Sequence, residues 1–148
     1  ALPRTGQAIA IDVGDATDVH PKIKQAVGHR LARLALHREY GVTIEDTGPE
    51  LEVAQLFSDA TVQLQFRHAD GLSSQGDLAA AFELAGADGR FHPATQASVS
   101  GQTVSLRSTA LPHPVAVRYA WSPLPAGGLF NREGLPAAPF RSVIRAAQ

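Results

Sequence analysis

The sequence contains no cysteine among its 148 residues. The chain can therefore form no disulfide, carry no thiolate nucleophile and offer no cysteine ligand to a metal ion. The lack of cysteine does not identify the compartment in which the protein works, because cysteine-free proteins occur in oxidising and in reducing environments. Any catalytic nucleophile or metal ligand must come from other residue types.

Excess charge and long hydrophobic runs are also missing. The formal net charge is −1 at pH 7, and the basic residues form no cluster beyond one helix face. Phosphate binding needs a clustered positive surface, and a membrane-spanning helix needs about 20 consecutive apolar residues. The sequence therefore predicts that neither nucleic acid nor a membrane is the main partner. Apolar residues make up 44% of the chain, enough for a hydrophobic core.

The N-terminal part predicts a strand, a loop and a helix. Residues 8–13 form a short apolar run, rich in Ile and closed by Gly14, which is typical of a buried strand. A polar loop with three aspartates follows. Pro21 suits the first turn of a helix, and Gly41, after Tyr40, suits its left-handed end. The loop then lies between a strand end and a helix start, at the edge where open α/β sheets bind ligands.

The predicted helix has one apolar stripe. Its members recur at helical spacing and are Ile23, Val27, Leu31, Leu34 and Ala35. The basic residues that lie mostly off this stripe are Lys22, Lys24, Arg30, Arg33 and Arg38. The stripe and the strand need a sheet to cover, and this chain supplies no other parallel strand. We therefore expect residues 8–41 to pack against a segment outside this chain.

From Glu50 onward, short alternating runs recur with turn signals between them. The candidate strands cover residues 51–57, 60–66, 79–84, 96–99, 103–107 and 115–121. Ser100-Gly101-Gln102 separates two of these runs and predicts a hairpin. Several short strands at this spacing predict a β-sandwich. Residues 122–141 are rich in Pro and Gly and predict an ordered loop laid over another surface.

The loop and the helix start carry a distinctive pattern. It reads Asp-x-Gly-Asp-x-x-Asp-x-His-Pro-x-x-Lys over residues 12–24, followed by Gly28-His-Arg30-Leu-Ala32. Further short motifs follow in order over residues 85–89, 115–121 and 131–141. In their order and spacing they resemble the C-terminal part of the sialate O-acetylesterase-like SGNH hydrolases, which are carbohydrate O-acetylesterases. The resemblance covers nearly all of the chain.

The resemblance implies a fold, an activity and a division of the chain. Residues 1–47 would close an α/β domain of the SGNH type, which is flavodoxin-like, and residues 48–148 would form an all-β C-terminal sandwich with an ordered tail. The implied reaction is hydrolysis of acetyl esters on sugar hydroxyls without a cofactor. The implied substrates are O-acetylated sialic acid, xylan or xyloglucan, and the implied location is periplasmic or secreted.

The resemblance makes His20 the catalytic base of a serine mechanism. Histidine suits this task because its pKa lies near working pH. In many SGNH enzymes the orienting acid lies three residues before the histidine, where this chain has Thr17. Asp18 lies two residues before His20 and points the same way in an extended loop. We therefore expect Asp18 to be the acid, with Asp15 as the second candidate.

Two other interpretations of the same loop stay open. The aspartates could cap the helix, a role worth about 0.5–2 kcal/mol for a capping oxygen. Alternatively, Asp12, Asp15, Asp18 and His20 could together hold a divalent cation, although their spacing matches no EF-hand. The family resemblance favours the catalytic role, with neither a metal nor a cofactor.

The expected serine nucleophile is missing from this chain. The nucleophile block of the family resembles Gly-Gln-Ser-Asn. The nearest matches in this chain are Ser73-Ser74 and Gly101-Gln-Thr103, which match it poorly and lie within β-like sequence. The chain alone is therefore expected to be inactive. We expect its partner to be an N-terminal SGNH segment of the same protein, either in the same polypeptide or as a separate or cleaved chain. That segment would also supply the oxyanion-hole donors.

The β region supports a rival interpretation. In it the chain is a non-catalytic carbohydrate-binding or structural β-domain, and the helix only docks this domain. Tyr119 and Trp121 could stack on a sugar ring or anchor the core. The tail residues Asn131, Arg132 and Arg141 could line an acyl-sugar site if the tail packs back toward the catalytic domain.

Overall fold

A computed structural model describes residues 5–147, which are mostly β-structure with one α-helix. The helix α1 covers Lys24–Arg38. The strands are β1 (Glu50–Leu56), β2 (Val62–Arg67), β3 (Ser73–Gly76), β4 (Phe82–Ala85), β5 (Phe91–Pro93), β6 (Gln96–Ser100), β7 (Thr103–Arg107), β8 (Ala116–Tyr119), β9 (Gly127–Phe130), β10 (Phe140–Val143) and β11 (Arg145–Ala146). No helix in this range has the length and apolar content needed to cross a membrane.

The strands form three sheets. Five strands follow the order β11-β1-β2-β7-β6, four follow β10-β8-β4-β5, and β3 pairs with β9 in a two-stranded ribbon. Strands β1 and β11 are parallel, and the other pairs are antiparallel. The predicted hairpin is confirmed, because β6 and β7 pair up to Ser100 and Thr103. Gly101 in its turn has a φ of +58°, which favours glycine.

The five-stranded and four-stranded sheets share one hydrophobic core. Its largest fully buried apolar side chains are Phe66, Leu64, Leu106, Val62 and Val104 from the first sheet and Tyr119, Phe82, Leu84 and Val117 from the second. Alternate residues of each strand point inward, as the period of a strand requires. Phe66 and Phe140 meet across the two sheets with ring centroids 6.0 Å apart.

The hydroxyl of Tyr119 makes a buried polar link within this core. The Tyr119 ring stacks on Phe140 with centroids 5.3 Å apart, and its oxygen accepts a 2.7 Å hydrogen bond from the backbone N–H of Leu129. Burial raises the pKa of Tyr119 to about 12, and the charge of Asp12 contributes to the increase. The bond attaches β9 to the core.

The ribbon of β3 and β9 is absent from the sequence prediction, which expects a loop over residues 122–141. Both strands are polar or rich in glycine, so neither shows an apolar alternation. Their glycines allow the backbones to approach closely, because a Cβ at Gly76 would collide with the backbone of Ala126, and one at Gly127 with the backbone of Asp77. The glycines that suggest a turn in the sequence instead allow β3 and β9 to pair.

The buried strand predicted over residues 8–13 is not formed. This segment is irregular and turns at Ile11 and Asp12, where the N–H of Val13 donates to the carbonyl oxygen of Ala10 at 3.2 Å. A β-strand forms only when its backbone hydrogen-bonds to a neighbouring strand. Within residues 5–147 no strand pairs with this run. The apolar run is present without the sheet that its composition predicts.

The helix begins later than the sequence predicts. Its first residue is Lys24 rather than Pro21, and the N-cap residue Ile23 makes no side-chain capping hydrogen bond. The capping role considered for the aspartates is therefore not observed. Gly41 follows the helix with a φ of +68°, in agreement with its predicted left-handed conformation.

The apolar stripe of α1 is only partly covered. Leu34 is buried, whereas Ile23 and Leu31 are 59% and 51% exposed. The other buried residue of the helix is Arg30, which the sequence pattern places off the stripe. The helix therefore buries a charged residue against its own chain and leaves apolar side chains in solvent, the reverse of the usual arrangement.

Arg30 is buried because it pairs with the segment that precedes the aspartate-rich loop. Its terminal nitrogens lie 2.7 Å from Asp12 Oδ1 and 2.7 Å from Asp12 Oδ2, and it also donates to the carbonyl oxygen of Ile9 at 2.7 Å. The side chains of Arg30 and Asp12 are only 10% and 17% exposed. Such bidentate contacts are among the strongest hydrogen-bonded ion pairs in proteins. The pair holds residues 9–12 against the helix.

Tyr119→Phe should lower the free energy of unfolding by about 1–3 kcal/mol, because it leaves the buried N–H of Leu129 without an acceptor. Urea unfolding followed by circular dichroism measures this change. Tyr40→Phe is the matched control: Tyr40 is 77% exposed, and its loss should cost less than about 0.5 kcal/mol. Equal effects of the two substitutions would contradict the role assigned to the Tyr119 hydroxyl.

Arg30→Ala should loosen the loop while leaving the sheets intact. Asp12 would keep a largely buried charge without its partner, and breaking a fully buried pair in this way costs about 3–5 kcal/mol. Hydrogen exchange measured by mass spectrometry should become faster in residues 8–23 and stay unchanged in β2 and β8. Lys24→Ala removes an exposed cation from the same helix and should alter neither region. Unchanged exchange of the loop in Arg30→Ala would show that the ion pair does not hold it.

Candidate active site

Residues 13–23, here called the histidine loop, carry the residues that the sequence pattern singles out. The loop runs from the Arg30–Asp12 ion pair to the start of α1. Both of its ends are therefore attached to the same helix. Most of its residues are exposed, so its shape depends on hydrogen bonds more than on apolar packing.

Asp18 and His20 lie side by side in the histidine loop. Asp18 Oδ1 is 3.3 Å from His20 Nδ1 and accepts a 2.8 Å hydrogen bond from the backbone N–H of His20. One carboxylate oxygen thus contacts both the backbone and the ring of the histidine, as in an Asx-turn. The turn also explains the late start of the helix, because it uses Asp18 locally.

This contact has the geometry in which a carboxylate orients an imidazole. With the proton of the neutral ring on Nδ1, directed at Asp18, Nε2 is the nitrogen that can accept a proton. The His20 side chain is 81% exposed, and within residues 5–147 its ring has no hydrogen-bonding partner besides Asp18. His20 is therefore accessible to a group from another segment or from a substrate.

The other aspartates of the pattern have different partners. Asp15 accepts hydrogen bonds from the backbone N–H and the hydroxyl of Thr17, both at 2.9 Å, and these bonds lower the pKa of Asp15. Both carboxylate oxygens of Asp12 contact Arg30. In the part of the chain that the structure describes, no three acidic or histidine side chains gather into a metal site. The divalent-cation interpretation therefore finds no ligand set there.

No serine of the described residues is hydrogen-bonded to the Asp18–His20 pair. Ser73 and Ser74, which match the expected nucleophile block only poorly, lie in β3. There the Ser73 hydroxyl contacts the carbonyl oxygen of Phe130 at 3.5 Å. A base with an orienting acid can accept and return a proton, but acyl transfer through a covalent intermediate also needs a nucleophile.

Residues 120–128, here called the tail loop, lie beside the histidine loop. A Cβ placed on Gly14 would be 3.9 Å from Leu124 Cδ1, so the Leu124 side chain adjoins the backbone of Gly14. A cavity of about 200 Å³ separates Asp12 from the tail loop, and Tyr119 and Pro125 contribute to its lining. The tail loop thus forms one wall next to the candidate site.

The two aromatic residues considered for sugar stacking differ in exposure. Tyr119 is 1% exposed and belongs to the core, so its ring is not available to a ligand. Trp121 is 54% exposed and can present its ring to one. In the tail, the side chain of Asn131 is buried and donates to the carbonyl oxygen of Thr47 at 2.9 Å. Asn131 therefore has a structural role.

A second histidine–carboxylate pair lies away from the histidine loop. His68 Nδ1 is 3.1 Å from Glu45 Oε2, and the side-chain amide of Asn131 donates to the carbonyl oxygen of His68 at 3.1 Å. The backbone N–H groups of Asp46 and Thr47 also donate to Glu45. These contacts tie the segment after the helix to the end of β2, which makes the pair a structural junction.

Sequence reasoning missed Arg30, although a signal was present. Arg30 follows Val27 by three residues and precedes Leu34 by four, so it shares a helix face with both. A cation on such a face is seldom buried unless it is paired. Asp12, the one charged residue of the apolar run, was the available partner.

Comparison with known proteins connects this chain to a carbohydrate esterase. No protein-family model and no curated protein sequence matches the chain. Among solved structures, it is similar to the crystal structure of a carbohydrate acetylesterase from Xanthomonas citri, with 46% sequence identity and a TM-score of 0.83 over 95% of this chain. The chain spans 33% of the length of that acetylesterase. The likeness supports a relationship to carbohydrate esterases in general terms.

Proposed function

We propose that this chain is the C-terminal portion of a carbohydrate O-acetylesterase of the SGNH type. His20 is the general base, Asp18 orients it, and the nucleophile is a serine from an N-terminal SGNH segment. In this proposal residues 1–47 close the SGNH domain, and residues 48–148 form a C-terminal β-sandwich with its tail. The reaction uses neither a metal nor a cofactor.

The observation that carries the proposal is the 46% identity to a carbohydrate acetylesterase over 95% of this chain. Because a shared fold alone does not establish a function, the residues of the site matter as well. The pattern over residues 12–24 resembles the last catalytic block of SGNH hydrolases. Its acid and histidine, Asp18 and His20, are in contact, which is the arrangement that the reaction needs.

In the proposed reaction this chain supplies His20 and Asp18, and the N-terminal segment supplies the serine. His20 Nε2 takes the proton of the serine hydroxyl while the serine oxygen bonds to the acetyl carbon. His20 then returns that proton to the sugar oxygen as the ester bond breaks. Asp18 keeps the Nδ1 proton directed toward itself and stabilises the imidazolium. In the second half, water attacks the acetyl-serine with the same base, which releases acetate and restores the serine hydroxyl.

The exposed face of α1 supports an interaction with the proposed N-terminal segment. Ile23 and Leu31, which belong to the apolar stripe, are more than half exposed. Full burial of a side chain of this size is worth about 1.5–3 kcal/mol. In our proposal the SGNH segment, within the same polypeptide or as a separate chain, covers this face and brings the serine and the oxyanion-hole donors to His20.

The proposed substrates are O-acetylated carbohydrates, either sialic acid or acetylated xylan or xyloglucan. The proposed location is the periplasm or the outside of the cell. Both follow from the resemblance of the sequence motifs to SGNH esterases. Without its partner segment the chain should be inactive, because His20 would have no serine to activate.

A non-catalytic carbohydrate-binding or structural β-domain is the second candidate. The exposed ring of Trp121 favours this alternative, since a solvent-facing indole is a usual means of holding a sugar. In that case α1 would only dock the domain onto a neighbour. A block resembling Gly-Gln-Ser-Asn, encoded upstream of this chain, would favour the esterase, and its absence would favour the binding domain.

His20→Ala in the full-length protein should abolish hydrolysis of a simple aryl acetate, because the serine loses its base. The folded state should be unaffected, since the His20 side chain is 81% exposed. Initial rates with 4-nitrophenyl acetate measure the effect, and circular dichroism checks the fold. His29→Ala, which removes another exposed histidine, should keep full activity. Near-normal turnover by His20→Ala would remove the enzyme proposal for this loop.

Asp18→Asn in the full-length protein should lower kcat by several orders of magnitude, with about 10⁴-fold as the precedent for a serine triad. Asparagine keeps an oxygen that can accept the 2.8 Å hydrogen bond from the His20 backbone, so the substitution mainly removes the charge. Asp15→Asn should have a much smaller effect, because Asp15 contacts Thr17. Equally mild effects at both positions would mean that another group orients the histidine.

A further inference from the structure

The outer face of the four-stranded sheet carries rings and guanidinium groups that the proposed active site does not use. We call this group the arginine–aromatic face, and its members are Phe91 on β5, Glu83 on β4, Arg118 on β8, Arg141 on β10 and Trp121 just after β8. The neighbouring residues Phe82 and Val117 point into the core instead, as strand alternation requires. The face is therefore directed away from the core.

The charges of this face form one row across three strands. Arg118 lies opposite Glu83 on one side and opposite Arg141 on the other. Glu83 accepts two hydrogen bonds from Arg118, at 2.6 and 2.8 Å. Arg141 forms no ion pair with any carboxylate in residues 5–147. The row thus holds two positive charges and one negative charge.

Arg141 is exposed and lies opposite Arg118, with no carboxylate partner among residues 5–147. Like charges directly opposite each other on neighbouring strands destabilise a sheet. The ring of Phe91 lies 4.2 Å from the guanidinium carbon of Arg118 and 5.1 Å from that of Arg141, and its π-system attracts both cations. Arg141 thus keeps donors and a positive charge with which an anion can pair.

The backbone at Ala120 brings Trp121 to the same face. Ala120 has a φ of +51°, in the left-handed region that residues with a Cβ seldom adopt. Its N–H donates to the carbonyl oxygen of Ala81 at 2.8 Å, which holds this conformation. Strained residues of this kind cluster at functional sites. The indole of Trp121 lies 5.9 Å from the guanidinium carbon of Arg118.

A shallow cavity adjoins the indole. It measures about 180 Å³ and is lined by Trp121, Glu83, Ser122 and Leu124, among others. Pockets that enclose drug-sized ligands measure about 300–1,000 Å³, so this cavity suits a single ring that stays partly in solvent. Leu124 also adjoins Gly14, so the cavity and the histidine loop share a wall.

We propose that the arginine–aromatic face binds a carboxylated pyranose, which is a uronic acid or a sialic acid unit of a carbohydrate. Trp121 stacks on the apolar side of the sugar ring, and Arg141 binds the carboxylate through its planar fork of donors. Glu83, fixed by Arg118, accepts hydrogen bonds from sugar hydroxyls. The inference rests on the proposed function for the class of ligand, but it concerns binding and requires no hydrolysis.

Trp121 makes a direct test possible because it is the single tryptophan of the 148 residues. Its fluorescence should change when the chain is titrated with tetragalacturonate or with sialyllactose, and the tighter ligand identifies the source of the carboxylate. Neutral xylotetraose should bind at least about tenfold more weakly than the better acidic ligand. Sodium chloride at about 1 M should remove this preference by screening the charges.

Variants separate the two contacts. Arg141→Ala should abolish the preference for acidic ligands, whereas Arg145→Ala, at an exposed arginine of the other sheet, should keep it. Trp121→Ala, followed by calorimetry, should weaken every ligand by at least about tenfold, whereas Tyr40→Ala should not. Melting temperatures equal to that of the unsubstituted chain are the check that each variant is folded.

Equal affinity for acidic and neutral ligands, or binding that survives Trp121→Ala, would overturn the proposal. Loss of this binding in the full-length protein would also overturn it, because another segment would then cover the face. These outcomes are independent of the esterase proposal. A protein inactive on every acetyl ester that still binds tetragalacturonate would keep the inference, and an active esterase that binds no acidic sugar would lose it.

Discussion

The position of the histidine loop depends on the bidentate ion pair between Arg30 and Asp12. Both side chains are largely withdrawn from water, and such a pair persists only when its geometry offsets the desolvation of two charges. Three contacts of 2.7 Å, including one to the carbonyl oxygen of Ile9, provide this geometry. Because Arg30 belongs to α1, the pair ties the start of the loop to the helix that follows its end. His20 therefore lies on a loop that is attached to the helix at both ends, and such support would serve the proposed role of His20 as a base.

The helix makes polar contacts where most helices make apolar ones. Besides the pairing of Arg30, Arg38 contacts Asp46 at 2.6 Å, while Ile23 and Leu31 remain in solvent. The apolar run over residues 8–13 likewise has the composition of a buried strand and no pairing strand within residues 5–147. The run is nevertheless partly covered by its own chain, because Val13 is buried and Ile11 packs against the core. In the proposed α/β unit, a sheet from the N-terminal segment would cover Ile23 and Leu31 and give the run over residues 8–13 a pairing strand.

The parts that could be predicted from the sequence are those whose signal is local. Strand β2 and the β6–β7 hairpin follow from period-two alternation and from a glycine turn. Asp18 and His20 meet as the sequence predicts, but through an Asx-turn in which Asp18 Oδ1 accepts from the backbone N–H of His20, and not through an extended segment. The ribbon of β3 and β9 was not predictable, since its glycines permit close backbone approach and leave no alternation to detect. The burial of Arg30 depends on a partner 18 residues away, and the helical period alone cannot indicate such a partner.

The tail loop connects the two proposed sites, and a buried hydrogen bond closes this loop at its base. Tyr119 and Leu129 flank the loop. The buried hydrogen bond from the Leu129 N–H to the Tyr119 hydroxyl holds the two ends of the loop together. Within the loop, Leu124 adjoins the histidine loop at Gly14, and Trp121 faces the outer side of the four-stranded sheet. A sugar unit held at Trp121 would therefore sit at a fixed span from the loop that carries His20. Binding of a second unit of the same carbohydrate at the histidine loop would then be intramolecular. Its effective concentration is highest when the distance between the two sites is fixed and equals the distance between the two sugar units. A closed loop meets this condition better than a mobile tail of the same composition.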